Sequence, residues 1–200
     1  MRTVGSRGPK TMEAIMAAGV RLIYEHGYDA LTLRQLAREV GLQPGSLYNY
    51  IETKQDLLVT LLRGHLTRLL VDVDQALAGV QDPLEKLRVF VEFHLMDHMV
   101  RKADVFIANS ELRSLEPENR REIVSLRRAY ERRLIDTLDE CVAQGRLAPI
   151  NTHVAAFAII AMVTGICAWY RPDGPLTKAE LVRMHTDMVF SGLPIPDEKK

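Results

Sequence analysis

The 200-residue sequence lacks several features that point to particular classes of protein. It has only two cysteines, Cys141 and Cys167, and both lie in apolar helical patterns, so we predict buried reduced thiols and not a disulfide. Neither charge is in excess, with 26 basic and 26 acidic residues, so overall charge identifies no partner. The first ten residues, MRTVGSRGPK, lack the apolar core of a signal peptide.

Long apolar runs and catalytic motifs are also scarce. The one long apolar run, residues 154–170, would extend about 25 Å as a helix, whereas a membrane crossing needs roughly 20 apolar residues. We therefore predict a cytoplasmic protein. No phosphate-binding loop, nucleophile elbow or paired-carboxylate motif occurs, and HLMDH at 94–98 lacks the glutamate of the zinc-protease motif HExxH. These absences argue against an enzyme, and we expect no cofactor.

Apolar residues do recur at helical spacing along the chain, without strand-like alternation or an internal repeat. The spacing predicts an all-α fold of about nine helices. The first predicted helix ends at Gly27, and the others run from Thr32 to Gly41, Pro44 to about Tyr50, Leu57 to about Gly79, Pro83 through His98, Asp104 to about Leu115, over 116–145, over 154–170, and from Thr177 to about Ser191.

The two short helices around Gly41 have the spacing of a helix-turn-helix, in which the second helix enters the DNA major groove. Short or amide side chains suit contacts to base edges, and longer donors reach the flanking phosphates. The predicted DNA-binding residues are Thr32, Arg34, Gln43, Pro44, Gly45, Ser46, Tyr48, Asn49, Tyr50 and Lys54. Of these, Gln43, Ser46 and Asn49 suit bases, and Tyr48, Tyr50 and Lys54 suit phosphates.

Other residues of this segment have a structural role. We expect Leu47 and Ile51 to point back toward Leu36, and Gly45 to let the backbone come close to DNA. An ordinary helical hairpin with a solvated face is the alternative interpretation. The first ten residues carry basic groups and no acid, which is typical of either a phosphate-contacting arm or an unstructured tail.

Residues 12–58 resemble the DNA-binding domain of the TetR family of transcriptional repressors. The similarity is carried by IMAAGVRLIYEHGYDALTLRQLAREVGLQPGSLYNYIETKQDLL. It implies phosphate contacts by Thr32, Tyr48 and Lys54, and proximity to bases for Gln43, Pro44, Gly45 and Asn49. Three positions depart from the usual family pattern: Ile23 and Ile51 replace phenylalanines, and Tyr50 replaces a histidine. Since a phenol reaches further than an imidazole, Tyr50 changes the expected phosphate contact.

The 154–170 helix is apolar nearly all round, so both of its sides must be buried. We expect one side to face its own core and the other a partner subunit, beside a last helix with Met184 and Met188. A symmetric operator requires such a dimer. The family resemblance implies a four-helix interface across the dimer axis. A central core helix in a monomer is the alternative.

Residues 105–192 resemble the C-terminal domain of a subset of these repressors that control lipid, steroid or organic-acid catabolism. The matching stretches are LRSLEPENRREIVSLRRAYERRL and GICAWYRPDGPLTKAELV. In that subset the effectors are often acyl-CoA thioesters. The resemblance therefore implies a small-molecule effector of this class.

Candidate ligand-binding residues lie in this C-terminal part. His94 and His98 share an inward stripe, which suits pocket-lining groups, satisfied core histidines or, with a third ligand, zinc. No third ligand is evident, so we predict no metal. Asn109, Arg113 and Arg127 can face an anionic ligand, or belong to a solvated helix face. Trp169 either stacks on a ligand or packs at the dimer seam.

Together these patterns predict a ligand-responsive, homodimeric repressor. Residues 10–56 would form the helix-turn-helix domain, residues 57–192 the ligand-binding and dimerisation domain, and residues 1–9 and 193–200 flexible tails. A small molecule, an acyl-CoA in our interpretation, would release a palindromic double-stranded operator. The alternatives are a cysteine-based redox-sensing regulator and a helical enzyme without a recognisable motif.

Overall fold

The computed structural model describes residues 8–195, and residues 1–7 and 196–200, with most of the predicted tails, lie outside this part. All regular elements of the described residues are helical, which confirms the all-α prediction. They are α1 Gly8–His26, α2 Leu33–Glu39, α3 Pro44–Leu47, α4 Lys54–Leu77, α5 Pro83–Val100, α6 Lys102–Ser110, a 3-10 turn Glu111–Ser114, α7 Pro117–Ala143, α8 Thr152–Thr164, α9 Ile166–Trp169 and α10 Lys178–Ser191.

Local capping explains where most of these helices begin and end. Gly27 has φ 81° and Gly41 has φ 67°, the left-handed backbone that favours glycine, at the predicted ends of α1 and α2. Helix α4 starts three residues before its predicted first residue. The Thr53 N–H donates to Asp56 Oδ2 (2.9 Å) and the Asp56 N–H donates to Thr53 Oγ1 (3.0 Å), a reciprocal capping box.

The predicted 154–170 helix is instead two helices that meet at Gly165. The Ala168 N–H bonds to the Gly165 carbonyl three residues back (3.1 Å), and the Cys167 thiol donates to the Thr164 carbonyl (2.9 Å). Glycine has a weak helix propensity, so these tighter bonds interrupt the α-helical ladder there. If α8 and α9 are counted as the one helix that was predicted, residues 8–195 contain all nine predicted helices.

The described residues form two compact units. One unit contains the chain up to Leu66 together with 103–124, and the other contains 67–102 and the chain from Ser125 onward. In the first unit, α1 to α4 bury an apolar core. Its fully buried side chains include Ile15, Ile23, Leu36, Leu47, Leu57 and Leu58.

The core of the second unit takes side chains from α4, α5, α7, α8, α9 and α10. They include Leu69, Phe90, Val91, Leu134, Leu138, Ile159, Val163, Ile166 and Leu181. Helix α8 buries only one face here, because Val154 and Phe157 on its other face remain 63% and 52% exposed. Within this single chain, α8 therefore has one buried and one exposed face, although both faces are apolar.

Candidate functional site

The segment from α2 to the start of α4 is held in a fixed shape by short-range hydrogen bonds. Pro44 occupies the first turn of α3, where its missing N–H costs nothing. Helix α3 ends at Leu47, earlier than the predicted Tyr50, but the chain continues as a hydrogen-bonded turn. In that turn the N–H groups of Tyr50 and Ile51 donate to the Leu47 carbonyl at 2.8 and 3.1 Å.

The residues around this turn are exposed, except for buried Leu47 in the middle of the run. Leu47 is fully buried, and Ile51 is 3% exposed, so both face the core with Leu36 as expected. The exposed residues are Gln43, Pro44, Gly45, Ser46, Tyr48 and Asn49, and Tyr50 is half-buried. The polar side chains of α3 and of the residues that flank it are therefore accessible to a partner molecule.

Gly45 lies on this surface without a structural reason to be glycine. Its φ is not positive, and a Cβ added there would meet no atom within 4 Å. Among the described residues, neither backbone conformation nor packing excludes a side chain at this position. A partner molecule that approaches the backbone closely at Gly45 would exclude a side chain there.

Thr32 and Arg34 flank this surface at the start of α2. Thr32 is the N-cap, and its Oγ1 accepts a hydrogen bond from the Gln35 N–H at 3.2 Å. A hydroxyl is both donor and acceptor, so the Thr32 O–H can still donate to a phosphate. Arg34 is exposed on the first turn of α2.

Lys54 is fixed at the first turn of α4. Its Nζ donates to the Asp29 carbonyl (3.0 Å) and lies 4.4 Å from the centre of the Tyr28 ring, a cation–π contact. An ammonium has three donors, so this anchoring leaves two of them for another acceptor. Local sequence patterns carry no signal for this anchor, because it joins residues 25 positions apart.

The two candidate histidines point inward in the second unit, as predicted. His94 is 1% exposed, and its Nδ1 and Nε2 lie 3.0 Å from the Tyr130 hydroxyl and 2.9 Å from Thr164 Oγ1. The His98 ring stacks on it with 3.6 Å between centroids. Burial lowers the pKa of His98 from 6.5 to about 4, so the ring is neutral at physiological pH.

The other candidate ligand residues lie on other elements of the described chain. Asn109 and Arg113 are exposed in the first unit, and Arg127 is half-buried on α7. Trp169 is 53% exposed, and its ring stacks on His185 with 5.8 Å between centroids. Helical spacing identified which side chains point inward, but it carries no information on which helices meet. Across residues 8–195, no group of three or more potential ligands is placed to hold a metal ion.

Two cavities in the second unit were not anticipated from the sequence. A groove of about 450 Å³ between α5 and α10 is lined by Phe93, Met96, Val182 and Thr186, among others, with Arg88 at its edge. A smaller cavity of about 160 Å³ lies beside Trp169. Its lining includes Tyr170, Arg171, Pro175, Leu176 and Leu181.

The surroundings of both cysteines make their thiols unreactive. Burial raises the pKa of Cys141 to about 11 and also raises that of Cys167. Both thiols are free and remain protonated near neutral pH, whereas the reactive species is the thiolate. This environment gives no support to the redox-sensing alternative.

Comparison with known proteins connects this geometry to a family. Residues 15–61 match the family described as bacterial regulatory proteins, tetR family, and residues 80–193 match the tetracyclin repressor-like C-terminal domain. The transcriptional repressor KstR2 of Mycobacterium tuberculosis is 27% identical over 194 residues, which cover 95% of this chain and 94% of that protein. The fatty acid metabolism regulator protein of Bacillus subtilis is 26% identical over 191 residues, covering 92% and 96%.

A solved structure extends the similarity to the whole fold. The crystal structure of AibR in complex with isovaleryl coenzyme A and operator DNA has a TM-score of 0.84 and 25% identity, covering 90% of this chain and 98% of that chain. These proteins are regulators, which decides against the enzyme alternative. The chain belongs to the TetR family of bacterial transcriptional regulators.

Proposed function

We propose that this regulator is a cytoplasmic homodimeric repressor that leaves its operator when an acyl-CoA thioester binds. Residues 10–56 form the DNA-binding domain, and residues 57–192 bind the effector and the second subunit. The observation that carries the DNA-binding surface is the exposed polar run around buried Leu47, with Gly45 inside it. The helix that presents this run has the major-groove role of a helix-turn-helix.

The assignment of individual DNA contacts is tested by comparing two variants on a selected operator. Asn49→Ala should relax base preference by roughly 1–3 kcal/mol, because it removes a side chain that reads base edges. Lys54→Ala should weaken binding to all sequences and reduce its salt dependence, because it removes a phosphate contact. If Lys54→Ala alters the sequence preference and Asn49→Ala does not, the contacts are assigned the wrong way round.

Dimerisation accounts for the exposed apolar faces of α8 and α10. Val154 and Phe157 on α8 and Met184 and Met188 on α10 are 38–63% exposed. A second copy of the chain would bury them together. By length and composition alone, Thr152–Trp169 would also be apolar enough to cross a membrane. The break at Gly165 and the buried face of α8 favour the dimer, and recovery in the membrane fraction of a cell lysate would oppose it.

The effector class rests on one similar structure that holds an acyl-CoA and on one relative that regulates fatty acid metabolism. A fatty acid metabolism regulator and a structure with isovaleryl coenzyme A are both similar to this chain over nine-tenths of its length or more. Among the candidate residues, Trp169 is exposed beside a cavity and available to an apolar group. Arg127, in the same compact unit as Trp169, would lie near the charged end of the thioester.

Trp169 is the only tryptophan, so intrinsic fluorescence reports on its surroundings alone. We expect a long-chain or ring-bearing acyl-CoA to change Trp169 emission saturably and to release operator DNA over the same concentration range. Free coenzyme A is the control and should do neither, because it lacks the apolar half. Release of operator DNA without an emission change would show that Trp169 is not part of the effector site. If no member of a broad acyl-CoA panel releases the DNA, the effector is not an acyl-CoA.

A further inference from the structure

Asp97 and His98, at the end of α5, form a buried polar pair. Their side chains are only 8% and 6% exposed. Asp97 Oδ1 accepts a hydrogen bond from Arg68 (2.8 Å) and lies 3.5 Å from Nε of Arg101. The two arginines are 25% and 43% exposed, and Arg68 also donates to Asp72 Oδ2 (2.9 Å), so two arginines and two aspartates form one ion-pair cluster that reaches the surface.

Each of the two residues also has one buried polar atom without a hydrogen-bond partner among the described residues. Asp97 Oδ2 and His98 Nδ1 are both buried and unpartnered, and they lie 3.7 Å apart, too far for a good hydrogen bond to each other. Buried side-chain polar atoms rarely lack a partner. Two adjacent ones form a place for a small polar group of another molecule.

The surrounding polar groups are satisfied by contrast. Both ring nitrogens of His94 are bonded, to Tyr130 and to Thr164, and His94 stacks directly on the His98 ring. Phe90 packs against Tyr130 on the inner side, with 5.1 Å between ring centroids. The unpartnered atoms therefore lie between an aromatic interior and the partly exposed ion pairs of Arg68 and Arg101.

The chemistry of the two atoms selects the group that fits. A carboxylate oxygen accepts hydrogen bonds, and the Nδ1 of a neutral imidazole donates in one of its two tautomers. A hydroxyl satisfies both at once, because its O–H donates to Asp97 Oδ2 while its oxygen accepts from His98 Nδ1–H. A carbonyl can accept but cannot donate to the carboxylate, so it satisfies only one of them.

We propose that Asp97 and His98 recognise a hydroxyl group on the effector, which is then a hydroxyacyl compound. This inference rests on the proposed acyl effector and specifies its chemical class.

Matched pairs of compounds test the inference on the full-length protein by calorimetry. The probes are 3-hydroxyoctanoyl-CoA with octanoyl-CoA, 12-hydroxydodecanoyl-CoA with dodecanoyl-CoA, and the four corresponding free acids. We expect at least one hydroxylated member to bind about tenfold tighter than its partner, because a hydrogen bond to a charged group is gained. Measuring binding directly separates this result from DNA release.

Three variants identify the residues responsible. His98→Phe keeps a ring on His94 and removes Nδ1, so the preference should fall below about twofold. Asp97→Asn replaces the acceptor oxygen and should have the same effect, which keeps the test open if His98→Phe does not fold. Met99→Leu, a buried volume-conserving neighbour, should retain the preference.

The outcomes separate this inference from the proposed effector class. Equal binding of both members of every pair, or a preference that survives both His98→Phe and Asp97→Asn, overturns the inference and leaves the thioester class intact. Preferential binding of a free hydroxy acid without any thioester supports the inference and removes the thioester class. A crystal structure with bound effector in which only a water bridges Asp97 and His98 overturns the inference. Binding of no probe overturns both.

Discussion

Gly41 and Gly45 lie four positions apart, yet the fold requires glycine at only one of them. Gly41 has φ 67°, where any side chain is strained. Gly45 has no positive φ and open space around its missing Cβ. The difference separates a glycine that shapes the turn from one that leaves room for a partner molecule.

Gly45→Ala should therefore separate stability from DNA binding. We expect its free energy of unfolding to stay level or to rise by up to about 1 kcal/mol, because alanine is the better helix former. Operator affinity should fall about tenfold or more, because the added methyl occupies the space that DNA approaches. Urea denaturation and a DNA-binding titration measure the two effects.

The matched control is Gly64→Ala on α4. Gly64 is exposed and also has nothing within 4 Å of an added Cβ, so the same methyl should raise helix stability there without affecting the operator. Wild-type operator affinity in Gly45→Ala would show that DNA does not approach this backbone.

Because the pKa of His98 is lowered in the fold, the free energy of unfolding should depend on pH. Its pKa is 6.5 when unperturbed and about 4 in the fold, mainly because burial disfavours the charged ring. Between these values the unfolded chain binds a proton that the folded chain does not. The free energy of unfolding should therefore fall as pH decreases from about 6.5, by up to roughly 1.4 kcal/mol per pH unit, with no loss from His98 at higher pH.

The variant His98→Phe should remove this slope. Urea denaturation between about pH 5 and 7 isolates the effect, because the carboxyl pKa values of Asp74, Glu122 and Glu180 are lowered and those groups act at more acidic pH. Identical slopes in the wild type and His98→Phe would mean that folding does not lower the pKa of His98.

At the scale of elements, local sequence patterns predicted most helices and several of their ends. Apolar spacing located nine helices, and glycine marked the ends of α1 and α2. The early start of α4 was also readable, since Thr53 and Asp56 have the spacing of a capping box. Such features depend on residues within about one helical turn, which is why sequence alone suffices.

Features that depend on contacts between distant helices were not predictable in the same way. The break near Gly165 coincides with a Thr164 hydroxyl that bonds His94, 70 positions away. The unpartnered atoms of Asp97 and His98 depend on how α5 packs against its neighbours. Of the candidate ligand residues, Asn109 and Arg113 lie in a different compact unit from His94, which periodicity does not encode.

At the scale of the whole molecule, a single chain leaves apolar surface uncovered on two helices. Phe157 on α8 and Met188 on α10 are each more than half exposed, although both helices bury their other faces. Exposed large apolar side chains that form a patch are typical of protein interfaces. A two-fold dimer uses the same surface on both subunits, so one substitution there acts twice.

Ala161→Glu should convert the dimer to a monomer, because two added carboxylates would be buried at an apolar interface without partners. Ala161 is exposed in the single chain, so the substitution leaves the subunit core intact. It is a better test than Gly165→Glu, since a Cβ at position 165 would lie 3.2 Å from the Met162 carbonyl oxygen and disturb the backbone. Analytical ultracentrifugation measures the mass of the assembly.

Ser125→Glu on the charged helix α7 is the matched control, an exposed position where a carboxylate stays in water. We expect this variant to remain dimeric and to bind the operator like the wild type. Ala161→Glu should lose most operator affinity as well, because each monomer contacts only one of the two half-sites spaced roughly 34–36 Å apart. An intact Ala161→Glu dimer would place the subunit interface on another surface, whereas a monomer that keeps full operator affinity would contradict two-fold recognition of the operator.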